Sequence, residues 1–90
     1  MAKDNTVFIG QKELMTYVMA VMTNFASGAN EVVVKARGRN ISMAVDVAEL
    51  VRNRYLPEVK VANVQIATEK LQGDDRRTIK VSSIEIFLSK

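Results

Sequence analysis

Lys35, Arg37 and Arg39 stand at alternate positions in a stretch that has no acid between Glu31 and Asp46. In an extended chain alternate residues project to the same side, so this spacing predicts one cationic stripe. The chemistry that suits such a stripe is phosphate binding. An arginine fork meets two anionic oxygens at once, and a lysine adds a point charge. Gly38, between the two arginines, lets backbone come close, and its amide lies near the predicted start of a helix, where anions are favoured. The bland alternative is a solvated loop with scattered charges.

A second basic group, Arg76, Arg77 and Lys80, follows the turn signal Gln72-Gly73-Asp74-Asp75. Polar residues on both sides of a long hairpin are costly to hold out unless something binds there. A solubilising edge would use the same residues, and Asp74 and Asp75 weaken the attraction of the neighbouring arginines for phosphate. Catalytic chemistry is poorly provided for. The chain has no histidine and no cysteine, which removes the commonest general base, the commonest metal ligand and any thiolate site. Asp46 and Glu49 fall at i and i+3 on a predicted helix, a spacing that serves acid–base or metal chemistry but more often marks a solvated face. The expectation is no enzyme, no metal and no cofactor.

The elements that must position these groups can be read from periodicity. Thr6 to Ile9 reads as a short strand closed by Gly10. Leu14, Val18, Val21, Met22 and Phe25 recur at helical spacing, and Gly28 lies where a left-handed helix stop belongs. Met15, Met19 and Met22, near the same spacing, are expected to fill the core. Glu31 to Ala36 is β-branched and predicts a central strand buried on both faces, broken by Gly38. A second helix is predicted from Ile41 to Tyr55, with Ile41, Ala44, Val45, Ala48, Val51 and Tyr55 as its apolar face and Pro57 as its stop. Val59 to Leu71 and Arg76 to Leu88 predict a long hairpin. On the second strand Thr78, Lys80 and Ser82 give way to Ile84, Ile86 and Leu88, so the base should pack on the body while the tip projects into solvent.

With 90 residues the chain suits one compact domain, residues 1–90. A domain of this size buries only about 60–65% of the surface its unfolded chain exposes, so a second copy would help it. Apolar residues at 48% and charged residues at 26% exclude a disordered tail. The net charge of +3 is weak by itself, and the distribution of charge carries the argument. The longest mostly apolar segment, within Leu14 to Ala26, is too short to span a bilayer. Met1 to Asn5 is polar and lacks signal-peptide architecture, so a cytoplasmic location is expected. The order β-α-β-α-β-β, with right-handed crossovers, predicts an α+β fold: two helices on one face of a four-stranded mixed sheet.

Val34-Lys35-Ala36-Arg37-Gly38-Arg39, running on to Ile41-Ser42, resembles the signature of the Alba family of archaeal chromatin proteins. Val51-Arg52-Asn53-Arg54-Tyr55-Leu56-Pro57 and Val81-Ser82-Ser83-Ile84-Glu85-Ile86 resemble the family's second-helix end and last strand, and the resemblance runs from about Val7 to Lys90. It implies a sandwich like the C-terminal domain of translation initiation factor 3. It also implies a homodimer that binds double-stranded DNA with little sequence preference, coats and condenses it as a chromosomal protein, and binds RNA as well. The dimer body would sit on the backbone and the hairpin arms would reach toward the minor groove, whose concentrated negative potential suits arginine.

Carried onto this chain, the resemblance implies nucleic-acid contacts at Lys12, Lys35, Arg37, Gly38, Arg39, Asn40, Arg76, Arg77 and Lys80. Arg52, Asn53, Arg54 and Tyr55 would join dimers side by side along DNA, unless Tyr55 merely closes the helix end over the core. Family members often carry lysine at the position of Gln11, the proposed acetylation site, so charge switching there is in doubt. Two rival readings stay open: a protein whose main partner is RNA, and a non-catalytic assembly subunit whose charge serves solubility alone.

Overall fold

The computed structural model describes residues 5–73 and 77–90. In chain order the elements are β1 (Thr6–Phe8), α1 (Leu14–Ala26), β2 (Glu31–Arg37), a 3₁₀ turn (Gly38–Asn40), α2 (Ile41–Leu50), a π turn (Val51–Tyr55), β3 (Lys60–Gln72) and β4 (Thr78–Ser89). The strands form one four-stranded sheet in the order β1-β2-β4-β3. β1 runs parallel to β2, and β4 runs antiparallel to both β2 and β3. The expected α+β architecture, two helices on a four-stranded mixed sheet, is therefore the observed one.

Alternation along the strands places the core. Val32, Val34 and Ala36 of β2 pair across the ladder with Leu88, Ile86 and Ile84 of β4. All six are buried, together with Val18, Val21 and Phe25 of α1 and Ala44, Val47 and Ala48 of α2. Each buried valine, leucine or phenylalanine is worth roughly 1.5–3 kcal/mol of transfer free energy, and this doublet of strands together with the two helices above it supplies most of them. The intervening residues of β2 lie on the opposite, open face. Val33 and Lys35 are half-buried there, and Glu31 and Arg37 are exposed. The expectation of a strand buried on both faces is corrected: both helices pack on one side, so β-branched composition here reflects one-sided burial.

The helices show two further departures. In α2 and the π turn that continues it the core residues are Ala44, Val47, Ala48 and Val51, whereas Val45 is exposed and Tyr55 is 41% exposed. Ser42, Asp46 and Glu49 keep one exposed side of α2 polar, but apolar residues fill the rest, Val45 among them, so the apolar arc is wider than the buried one. In α1 Met22 packs against the core, but Met15 and Met19 face outward, Met19 at 54% exposure, which corrects their reading as core filling. The buried side chain that periodicity missed is Tyr17. Its hydroxyl accepts hydrogen bonds from the backbone N–H groups of Gly10 and Lys12, each at 2.9 Å, and so holds the β1–α1 loop down onto α1.

The ends of the helices follow local chemistry. After α1, Gly28 adopts φ of +106°. The Ala29 N–H then donates to the Asn24 carbonyl and the Gly28 N–H to the Phe25 carbonyl, the paired bonds of a Schellman stop. α2 does not end as an α-helix. It widens into the π turn, closed by a 2.7 Å bond from the Leu56 N–H to the Val51 carbonyl. Leu56, turned out of the helical region before Pro57, ends it.

β3 is the outlier. None of its residues is buried, and Ile66 is 79% exposed, because the helices cover β1, β2 and β4 but stop short of this edge. β2 pairs with β4 only as far as Arg37 opposite Ser83, whereas β3 and β4 continue to Gln72 opposite Thr78. Beyond Ser83 the hairpin is a two-stranded arm.

Removing the Tyr17 hydroxyl leaves two partly buried N–H groups without that acceptor. Tyr17→Phe is expected to cost about 1–2 kcal/mol, read as a lowered urea midpoint at unchanged slope. Amide hydrogen exchange at Gly10 and Lys12 should accelerate more than exchange in β2; unchanged protection at both would show that the hydroxyl does not hold the loop.

Candidate nucleic-acid interface

The cationic residues near β2 gather at one end of the sheet, where β1 and β2 finish side by side. Phe8 pairs with Lys35 in the parallel ladder, so both project from the open face, and Arg37 follows two residues on. Lys35 Nζ lies 3.7 Å from Glu85 Oε2 and 5.8 Å from the centre of the Phe8 ring. Arg37 Nη2 lies 2.9 Å from Glu69 Oε1. Phe8, Ile9, Lys35, Ala36, Arg37 and Asn40 line a cleft of about 200 Å³.

The acid-free window in the chain is therefore not acid-free in space. Glu85 stands directly across the ladder from Lys35, and Glu69 reaches Arg37 from β3. Nothing local to β2 announces either carboxylate; only strand register brings them in. The Arg37 side chain keeps 51% of its surface exposed. An exposed pair of this kind contributes only about 0–1 kcal/mol, so it yields readily to a phosphate. Lys35, at 26% exposure, is held more firmly against the sheet.

Gly38 turns the chain out of β2. Its φ is +54°, and a Cβ there would stand 3.2 Å from a Val81 methyl, so both backbone conformation and space call for glycine. That turn ends the strand alternation. Arg39 lies in the 3₁₀ turn instead of extending the stripe of Lys35 and Arg37, and it is exposed there. Asn40 occupies the N-cap position of α2, but its side chain makes no capping bond. Lys12 is exposed in the β1–α1 loop, whose backbone Tyr17 anchors, and Gln11 beside it is exposed as well.

On the arm, Arg77 and Lys80 are exposed, while Arg76, with Asp74 and Asp75, lies outside the described residues. The register adds a residue that periodicity and charge runs do not single out. Lys70 of β3 stands directly opposite Lys80 of β4. Like charges facing each other across a ladder destabilise it, and an anion between them relieves the repulsion. Counting back from the turn is the signal that would have found this pair.

The remaining predicted group sits on the π turn. Arg52 Nη1 lies 3.4 Å from Glu49 Oε2 and donates to Asn53 Oδ1 at 3.2 Å. Asn53 Nδ2 in turn reaches Glu49 Oε1 at 3.5 Å. Arg52 Nε is buried without a partner. Arg54 and the Tyr55 ring are exposed beside this network, so Tyr55 does not close the helix end over the core. Among the described residues, no three His, Cys, Asp or Glu side chains are grouped to hold a metal ion.

Comparison with known proteins accords with this arrangement. The Alba family description matches residues 5–68. The DNA/RNA-binding protein Alba of Methanocella arvoryzae is 52% identical over 90 residues, which cover 100% of this chain and 94% of that protein. The DNA/RNA-binding protein Alba 1 of Archaeoglobus fulgidus is 55% identical over 87 residues, 97% of each chain. The solved structure of Alba from Thermoplasma volcanium, 49% identical, superposes with a TM-score of 0.90 over 96% of this chain and 100% of that one. With the matched segment spanning both helices and most of the sheet, and with such identity along the whole length, the chain belongs to the Alba family.

Proposed function

We propose that this chain, as one domain, binds nucleic acid through its phosphate backbone and without catalysis. As a homodimer it coats and compacts double-stranded DNA as a chromosomal protein of the cytoplasm, and it also binds RNA. The observation that carries the reading is the placement of cations at the base and along the length of one projecting arm. Arg37 and Arg39, with the neutral amide of Asn40 beside them, surround the turn that packs against Val81 at the arm's root, and Lys70, Lys80 and Arg77 lie further out. The names of the relatives, DNA/RNA-binding proteins, point the same way. Lys12, Lys35 and Gly38 would complete the interface on the body, with Arg76 next to Arg77 in the chain.

The binding is sequence-tolerant, because phosphate contacts fix register without reading bases, and neither α1 nor α2 presents a row of base-reading side chains. RNA is gripped by the same residues through shape and backbone. The dimer is supported by an apolar strip beside α2. Val45, Val61, Val64 and Ile66 are exposed there, and a groove lined by Val45, Ala48, Val61, Val64, Ile84 and Ile86, with Glu49 also in its lining, runs beside them. A two-fold axis through such a strip would bury it against its own copy. Arg54 and Tyr55, braced by the Glu49–Arg52–Asn53 network, would then face the neighbouring dimer along the duplex.

Three measurements test this reading. A salt series with random-sequence duplex DNA should give steeply salt-dependent affinity. Arg37→Ala/Arg39→Ala should flatten the log–log slope by roughly 3–4 for a dimer, at about 0.9 for each phosphate no longer neutralised. An unchanged slope would remove these arginines from the interface, and the same series on duplex RNA ranks the two partners. Ile66→Asp places a charge in the apolar strip and should convert a dimer into a monomer in sedimentation equilibrium; a variant that stays dimeric would put the interface elsewhere. Tyr55→Ala should lower cooperativity along long DNA at least severalfold while leaving affinity for a single-dimer site nearly intact. Equal cooperativity in both proteins would sink the side-by-side role.

A further inference from the structure

Phe8 is one of three phenylalanines in the chain, yet its ring is 61% exposed. The β1–β2 ladder sets it on the open face, away from the core that takes up Val7 and Ile9 on either side. Folding alone gives no reason for an aromatic at this point, since a polar residue would serve an open face. Phosphate binding gives none either, because phosphate has no use for a ring.

The surroundings of the ring are specific. The cleft of about 200 Å³ that Phe8 shares with Lys35, Arg37 and Asn40 has the volume of a single flat heteroaromatic group, and the bases of a duplex, being paired and stacked, would not enter it. Every nucleobase has a π-face to lay on an exposed aromatic, so such stacking tolerates any sequence. Arg37 projects from the same side of β2 two residues further on. Its Nη2 is held by Glu69 at 2.9 Å, and a guanidinium has further N–H donors to offer the phosphate of a stacked nucleotide. Lys35, whose ammonium lies 5.8 Å from the centre of the ring and 3.7 Å from Glu85 Oε2, adds positive charge beside the ring. Asn40 stands at the N-cap of α2 but does not cap it. Its amide thus offers a donor and an acceptor side by side, the pattern that meets the edge of an unpaired base.

We propose that this cleft binds an unpaired nucleotide of a single-stranded nucleic acid, with the base stacked on Phe8, its edge at Asn40 and its phosphate on Arg37. The inference rests on the nucleic-acid reading above and adds a second mode to it. Duplexes are held by backbone contacts alone, whereas single strands, overhangs and loops gain an aromatic contact that a duplex cannot reach.

The test uses the full chain and fluorescence anisotropy with four probes: a short unstructured RNA, a DNA of the same sequence, a blunt duplex, and the same single strand made abasic. Phe8→Ala should weaken binding of the single strands roughly tenfold, the scale of losing one stacked base, and leave the blunt duplex within about twofold. Phe8→Tyr, which keeps the ring, should bind single strands like the wild type. On the abasic strand wild type and Phe8→Ala should bind alike, which ties the loss to the base. An effect on RNA alone, or on DNA alone, would assign the nucleotide to that polymer. Equal binding of single strands by wild type and Phe8→Ala, or a wild type indifferent to removal of the bases, would overturn the proposal while leaving duplex binding untouched. Failure of wild type to bind duplex would instead strike the broader reading. If circular dichroism shows Phe8→Ala unfolded, Phe8→Leu takes its place, and the abasic comparison on wild type decides independently of any variant.

Discussion

The structure depends on the antiparallel pairing of β2 with β4 beneath two helices. Val32, Val34 and Ala36 face Leu88, Ile86 and Ile84 across that ladder, and all are buried. Because side chains alternate on a strand, burying this set on one face forces Lys35, Arg37 and Glu85 onto the other. A slip of one residue would exchange the two sets, bringing charge into the core. The register of the hydrophobic ladder is thus also the register of the cationic site.

The same pairing explains why one end of the sheet is finished and the other is not. With β4 seated at the centre, β3 is left at an edge that neither helix reaches, and its apolar residues stay open to water. For a 90-residue chain with a thin core, such uncovered apolar surface is where the proposed second copy would gain most. The strands also outrun the body. Where β2 turns away at Gly38, β3 and β4 continue with only each other as partners, and the arm carries the lysine pair that phosphate would relieve. Gly38 is the hinge of this arrangement in a steric sense, since its positive φ and its closeness to Val81 place the basic turn against the root of the arm.

Charge in this molecule is arranged less simply than a count suggests. The cations nearest the sheet, Lys35 and Arg37, have carboxylate partners on neighbouring strands. Such pairs hold both side chains in place and would cost little to exchange for a phosphate. The arrangement favours orientation over raw attraction, in keeping with a modest net charge of +3.

Much of this was legible in the residues. The element order, the Gly28 helix stop, the Pro57 boundary and the change from polar to apolar along β4 are local matters of periodicity and turn chemistry, and a chain displays those directly. The basic group around Gly38 was visible for the same reason. What tertiary structure alone decided were the relations between segments distant in the chain: which part of the wide apolar arc of α2 turns inward, the outward position of Met15 and Met19, the Tyr17 hydroxyl over the loop of Lys12, and the approach of Glu69 and Glu85 to Arg37 and Lys35. Lys70 opposite Lys80 and Phe8 beside Lys35 belong to the same class. Each depends on strand register or helix phase, quantities set by the burial of the whole core at once, and no window of neighbouring residues contains them.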